Sequence, residues 1–128
     1  MNIDVHAHFL PPACDDLRDG PGSSGAANER DSMSDLAQRL RDMDERDIDV
    51  QLLSVAPGLA HPDLATARRL NDATADAIAA HPTRPAGLAT VPLDDPEDAA
   101  RELERAVKEL GFCGLEVLTN YKGENLDS

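Results

Sequence analysis

The chain has 128 residues, enough for one domain with one modest core. Only three residues are aromatic, so that core must be built from Leu, Ile, Val, Ala and Met. A formal charge of −13, from 25 acidic residues against ten Arg and two Lys, excludes nucleic acid and anionic membrane as expected partners, because both demand a basic face. Such an Asp-rich, Lys-poor surface fits a high-salt cytoplasm and equally an ordinary acidic bacterial protein. With Met1 running almost straight into the expected first strand, a signal peptide is not expected, and no apolar run approaches membrane-spanning length. Cys14 and Cys113 lack CxxC spacing and read as free thiols of a reducing compartment. The expected location is the cytoplasm.

In chain order, the first strand is expected over residues 3–8, "IDVHAH". Its period of two sets Ile3, Val5 and Ala7 on one face and Asp4, His6 and His8 on the other. A flexible loop over about 11–32, rich in Gly, Ser, Pro and Asp, comes next. Ser34 is read as the N-cap of a helix carrying Leu36, Leu40 and Met43 inward. A second strand over 48–55, "IDVQLLSV", is nearly continuous in apolar character, as a strand buried on both faces should be. His61-Pro62 is expected to open the next helix, with Leu64, Leu70, Ala77 and Ile78 inward, ending before Pro82. A third strand follows over 86–92. Asp95 then caps a helix with Pro96 at its first position and Ala100, Leu103, Val107 and Leu110 on its buried side, stopped by Gly111. The fourth strand is expected over 114–119. Four strands alternating with helices mean right-handed crossovers and a parallel sheet, within a single unit over 1–128.

In a parallel α/β sheet the site lies beyond the carboxyl ends of the strands, where His8 ends strand one with His6 behind it on the same face. Two imidazoles converging on one point are a metal-ligand pattern, so His6 and His8 are the candidate metal ligands. Asp4 shares their face at the far end and reads as a buried polar group. His61 and His81, each before a proline, read as exposed punctuation at helix ends. Arg39, Arg41 and Arg46 alternate with acids as surface ion pairs would, and Asn71-Asp72 falls on a solvated or helix–helix face. Asn120 and Tyr121, just past strand four, stand where substrate-binding residues often lie, and Asn120 is the candidate substrate-binding residue. Nucleophile elbows, phosphate loops and CxxC pairs are absent from the sequence.

The stretches "IDVHAHFLPP", "RDMDERDIDVQLLSV" and "ARRLNDATADAIAAHPTRPAGLATVPLDDPEDAARELERAVKELGFCGLEVLTN" resemble the amidohydrolase-related family. The similarity is to its subgroup of aminocarboxymuconate-semialdehyde and resorcylate-type decarboxylases. The resemblance implies the N-terminal half of a (β/α)8 TIM barrel with one divalent metal, expected to be Zn2+, at its mouth, where His6 and His8 match the family's HxH ligands. It further implies a histidine on strand five, an aspartate on strand eight and a proton-handling histidine on strand six, all beyond the residues of this chain. The activity implied is hydrolysis or non-oxidative decarboxylation of a small carboxylated or cyclic organic substrate. Two departures stand out: Asp47 replaces a helix-closing Gly, tolerable for Asp in a left-handed turn, and Arg30 is a poor match for the family's substrate-binding arginine. With only two ligands, the chain alone is expected to be truncated, to hold metal weakly and to turn over little. The alternative expectation is a non-catalytic half-barrel module acting as a homodimer or paired with a separately encoded second half.

Overall fold

The structure is a computed structural model in which residues 1–18 and 33–127 are described. Its elements in chain order are β1 (Ile3–His8), a 3-10 helix (Pro12–Leu17), α1 (Leu36–Glu45), β2 (Val50–Ser54), a 3-10 turn (Pro57–Leu59) and α2 (Leu64–Ala79). Then follow β3 (Pro85–Ala89), α3 (Pro96–Lys108), β4 (Gly114–Leu115) and a small antiparallel pair, β5 (Asn120–Tyr121) and β6 (Glu124–Asn125). The main sheet has the order β1-β2-β3-β4, every pair parallel. Order equal to sequence, with no reversal, is the winding of a barrel; a doubly wound sheet would switch direction at its ligand crevice.

The helix starts differ from those expected. Asp35, not Ser34, caps α1 by accepting from the Gln38 N–H, while the Ser34 hydroxyl accepts from Arg18 Nη2 at 2.7 Å. α2 begins at Leu64 under an Asp63 cap rather than at His61-Pro62. α3 does start with Pro96 behind Asp95, whose carboxylate accepts from the Glu97 and Asp98 N–H groups. Its buried stripe is turned by one residue from the expected one. Glu102 and Ala106 are fully buried, Leu103 and Leu110 half-buried, and Ala100 and Val107 exposed. A purely apolar pattern misses this face because Glu102 belongs to it. Gly111 follows the helix at φ +73°, and Asp47, closing the turn after α1, stands at φ +54°, the left-handed conformation that a glycine would ordinarily take.

β3 and β4 are shorter than a hydropathy reading makes them. Past Ala89 the backbone of Thr90 leaves the ladder, because its N–H donates to Asn71 Oδ1 (3.0 Å) and its C=O accepts from Asn71 Nδ2 (2.9 Å). Asn71 in turn donates to Glu102, so the polar pair on α2 and α3 terminates the strand. The sheet packs on its helices through three clusters, centred on Phe9 and Leu53, on Cys14 and Leu70, and on Ala89, Ala106 and Phe112. The 3-10 helix at Pro12–Leu17 occupies the start of the expected loop and buries Cys14; the rest of that loop, with Arg30, lies outside the described residues. Leu10 N–H donates to Met33 C=O, so the two sides of that segment meet. Both cysteines are free thiols, Cys14 buried and Cys113 exposed. No helix among the described residues is long and apolar enough to cross a membrane.

Candidate metal centre

β1 carries His6 and His8 to the carboxyl end of the sheet, with ring centroids 4.9 Å apart and planes inclined by 75°. The second ring is fixed by the neighbouring strand. His8 Nδ1 lies 3.1 Å from the Val55 carbonyl oxygen and 3.4 Å from Ser54 Oγ. A carbonyl only accepts, so the ring must carry its proton on Nδ1, which leaves the Nε2 lone pair for a ligand.

A third group joins them. Glu116, one residue beyond β4, places a carboxylate oxygen so that one donor atom from each of His6, His8 and Glu116 lies within 4.8 Å of the other two. In a flat sheet β1 and β4 would stand about 14 Å apart, three strand spacings of roughly 4.8 Å. The convergence of their side chains therefore reports an inward-curved sheet, the curvature of a barrel wall. Glu116 is held in register by its N–H, which donates to Ala89 C=O at 3.3 Å. Nothing in its sequence neighbourhood, "GLEVLT", separates it from a surface acid. Its place opposite the histidines depends on three intervening crossovers.

His61 is not exposed punctuation. It is buried, at φ +57°, with Nε2 accepting from the Leu118 N–H at 3.1 Å and its ring edge-on to Tyr121. Because Nε2 accepts, the neutral ring carries its proton on Nδ1, and that buried atom has no hydrogen-bond partner among the described residues. His61 thereby pins the segment two residues beyond Glu116. His81 is half-buried at the end of α2, its N–H donating to Ile78 C=O.

Arg39 reaches inward from α1 as well as forming part of the surface. Its Nη1 donates to Gln51 Oε1 (3.0 Å) and its Nη2 to His8 C=O (2.7 Å). Burial pulls its guanidinium below the ordinary value, with Asp4 and Asp42 opposing the shift. Asp4 is half-buried; the Gln51 amide bonded to it holds its carboxyl below the usual range, against a smaller opposing effect of burial. Asn120 is exposed at the start of β5, opposite Asn125, and no hydrogen bond ties it to His6, His8 or Glu116 among the described residues.

Residues 3–128 match the family described as amidohydrolase. The chain belongs to the amidohydrolase family. Among relatives of this amidohydrolase chain, the gamma-resorcylate decarboxylase of Polaromonas sp. strain JS666 is 52% identical over 83 residues, covering 60% of this chain and 26% of its own length. The 2-amino-3-carboxymuconate-6-semialdehyde decarboxylase of Dictyostelium discoideum is 30% identical across 99% of this chain and 43% of its own length. The 5-carboxyvanillate decarboxylase of Novosphingobium aromaticivorans, crystallised with manganese and 4-hydroxy-3-methoxy-5-nitrobenzoic acid, superposes with a TM-score of 0.83 at 30% identity, covering all of this chain and 44% of that one. The chain thus spans less than half the length of these relatives, and its four-stranded sheet is the N-terminal half of the TIM barrel.

Proposed function

We propose that this amidohydrolase chain carries one side of the metal centre of a non-oxidative decarboxylase acting on a small carboxylated ring or unsaturated acid. The observation that carries the reading is the convergence of His6, His8 and Glu116 at the carboxyl end of the sheet. Two imidazole nitrogens and one carboxylate oxygen suit a divalent transition-metal ion such as Zn2+ or Mn2+ better than the all-oxygen shells of Ca2+ or Mg2+. The manganese-bound relative supports Mn2+ over the Zn2+ expected from the sequence. Bound there, the ion supplies positive charge to a carboxylate or phenolate oxygen of the substrate.

The chain's own residues do the holding. The Val55 carbonyl keeps the His8 proton on Nδ1 and its Nε2 free, and Glu116 adds the negative charge that two neutral imidazoles lack. The relatives named decarboxylases support this reaction class, in which a carbon–carbon bond breaks, carbon dioxide leaves, and a proton takes its place on the same carbon. Asn120 remains the proposed substrate contact. A half-barrel partner is a separate proposal, favoured by Ile3 and Val5 on β1, 48% and 65% exposed. Light scattering decides it, a discrete dimer of the purified chain being the expected result.

Calorimetric titration of the full chain with Mn2+ tests the centre. One site per chain is expected, abolished by His6→Ala and weakened about tenfold or more by Glu116→Gln. No saturable binding, or a Glu116→Gln isotherm that overlays the unmutated one, would overturn the reading.

A further inference from the structure

A continuous chain of hydrogen bonds begins and ends on the backbone of the histidine pair. The His6 N–H donates to Asp4 Oδ1 at 3.1 Å, and Asp4 Oδ2 accepts from Gln51 Nε2 at 2.7 Å. Gln51 Oε1 accepts from Arg39 Nη1 at 3.0 Å, and Arg39 Nη2 returns to the His8 carbonyl at 2.7 Å. Three side chains from β1, β2 and α1 thus grip the donor of the first ligand and the acceptor of the second.

The grip falls where the sheet itself is irregular. Asp4 pairs with Gln51, but Ala7 pairs with Leu53, so three steps along β1 match two along β2. The extra residue is a bulge between Asp4 and Ala7, the stretch that contains His6. A bulge leaves a residue out of the ladder and re-aims its neighbours, so β1–β2 pairing by itself leaves the direction of His6 loosely set. Gln51 is also the one polar side chain in the apolar run from Val50 to Leu53, and it is buried, at 7% exposed. An amide there costs free energy unless both its ends are bonded, and both ends are bonded to this chain.

We infer that Arg39, Gln51 and Asp4 are positioning residues, holding the bulged backbone of β1 so that His6 and His8 present their nitrogens to one cation. This inference rests on the metal-centre reading above. Asp4 and Arg39 act through backbone groups, and Gln51 acts through both of them.

The test uses Co2+ and the full chain, because the visible absorption of Co2+ reports ligand geometry independently of activity. Gln51→Leu keeps the volume of the side chain and removes both links. It is expected to weaken Co2+ binding about 10- to 100-fold and to change the visible band, in protein shown to be folded by circular dichroism. Asp4→Asn, at a half-buried position, serves if Gln51→Leu does not fold, with the same change expected in smaller measure. A purely structural network would lower the urea midpoint of the metal-free chain and leave affinity and spectrum unmoved; that result overturns the inference. If the unmutated chain binds Co2+ and His6→Ala abolishes it, while both network variants bind as the unmutated chain does, the metal centre stands and the positioning role falls. If the unmutated chain binds no Co2+, both fall.

Discussion

Glu102 lies with no exposed side-chain surface between α2 and α3, where Asn71, Arg68 and Arg105 all donate to its two carboxylate oxygens. Burial pushes its carboxyl up, but the Arg105 and Asn71 hydrogen bonds outweigh it and hold the group below its ordinary 4.5; the paired Arg105 is pushed further up. A carboxyl lowered in the folded state stabilises the fold fully above its unfolded value and loses that contribution as pH falls through the folded one. The urea midpoint of the chain should therefore drop from pH 6 to pH 3.5. Glu102→Gln should cost about 3 kcal/mol at pH 6 and flatten that drop. An unchanged pH profile in Glu102→Gln would show that other carboxyls dominate. The same residue explains a misreading: as an acid it looks solvated, and only its partners on a second helix make it part of the core.

Among the elements, β3 depends on a residue with no side chain. A Cβ on Gly87 would meet the Phe112 ring at 2.4–2.9 Å, and Phe112 is buried against Ala89 and Ala106. The ring fills the space over β3 that any larger residue would need. Gly87→Ala is expected to cost about 1–3 kcal/mol through overpacking, read as a lower urea midpoint with unchanged slope. Phe112→Leu in the same background should recover part of it by vacating the ring positions. The opening of this element was legible in "AGLATVPL"; its end was not, since Asn71 on another helix takes over the Thr90 backbone. β5 and β6, a two-residue pair around Gly123 at φ +86°, carry too little hydrophobic alternation to read as strands.

For the whole molecule, the proposed centre is a tie between the first and last strands of the sheet. His6 and His8 hang from β1 and Glu116 from the end of β4, so a bound ion would resist unrolling of the wall. Mn2+ at 100 times its dissociation constant should add about 2.7 kcal/mol of stability, by mass action on the folded state alone. For a chain of this size that is a rise in Tm of about 10 °C, reversed by chelator. His6→Ala should abolish the rise without lowering the metal-free Tm much, because His6 is exposed. A Tm that does not respond to Mn2+ would show that the three donors do not act together.

Local chemistry determined what the sequence alone could specify. Period-two spacing placed His6 and His8 on one face, the Asp95-Pro96 pair started a helix, and Asp47 could be read as a left-handed closure because such features depend on neighbours within a few residues. The tertiary structure decided the rest. Glu116, His61, Arg39 and Gln51 take their roles from groups 12 to more than 100 residues away, through a curved sheet and a bulge, and no pattern along the chain encodes those distances. Side chains of ordinary surface type become candidate site residues only when the backbone closes around them.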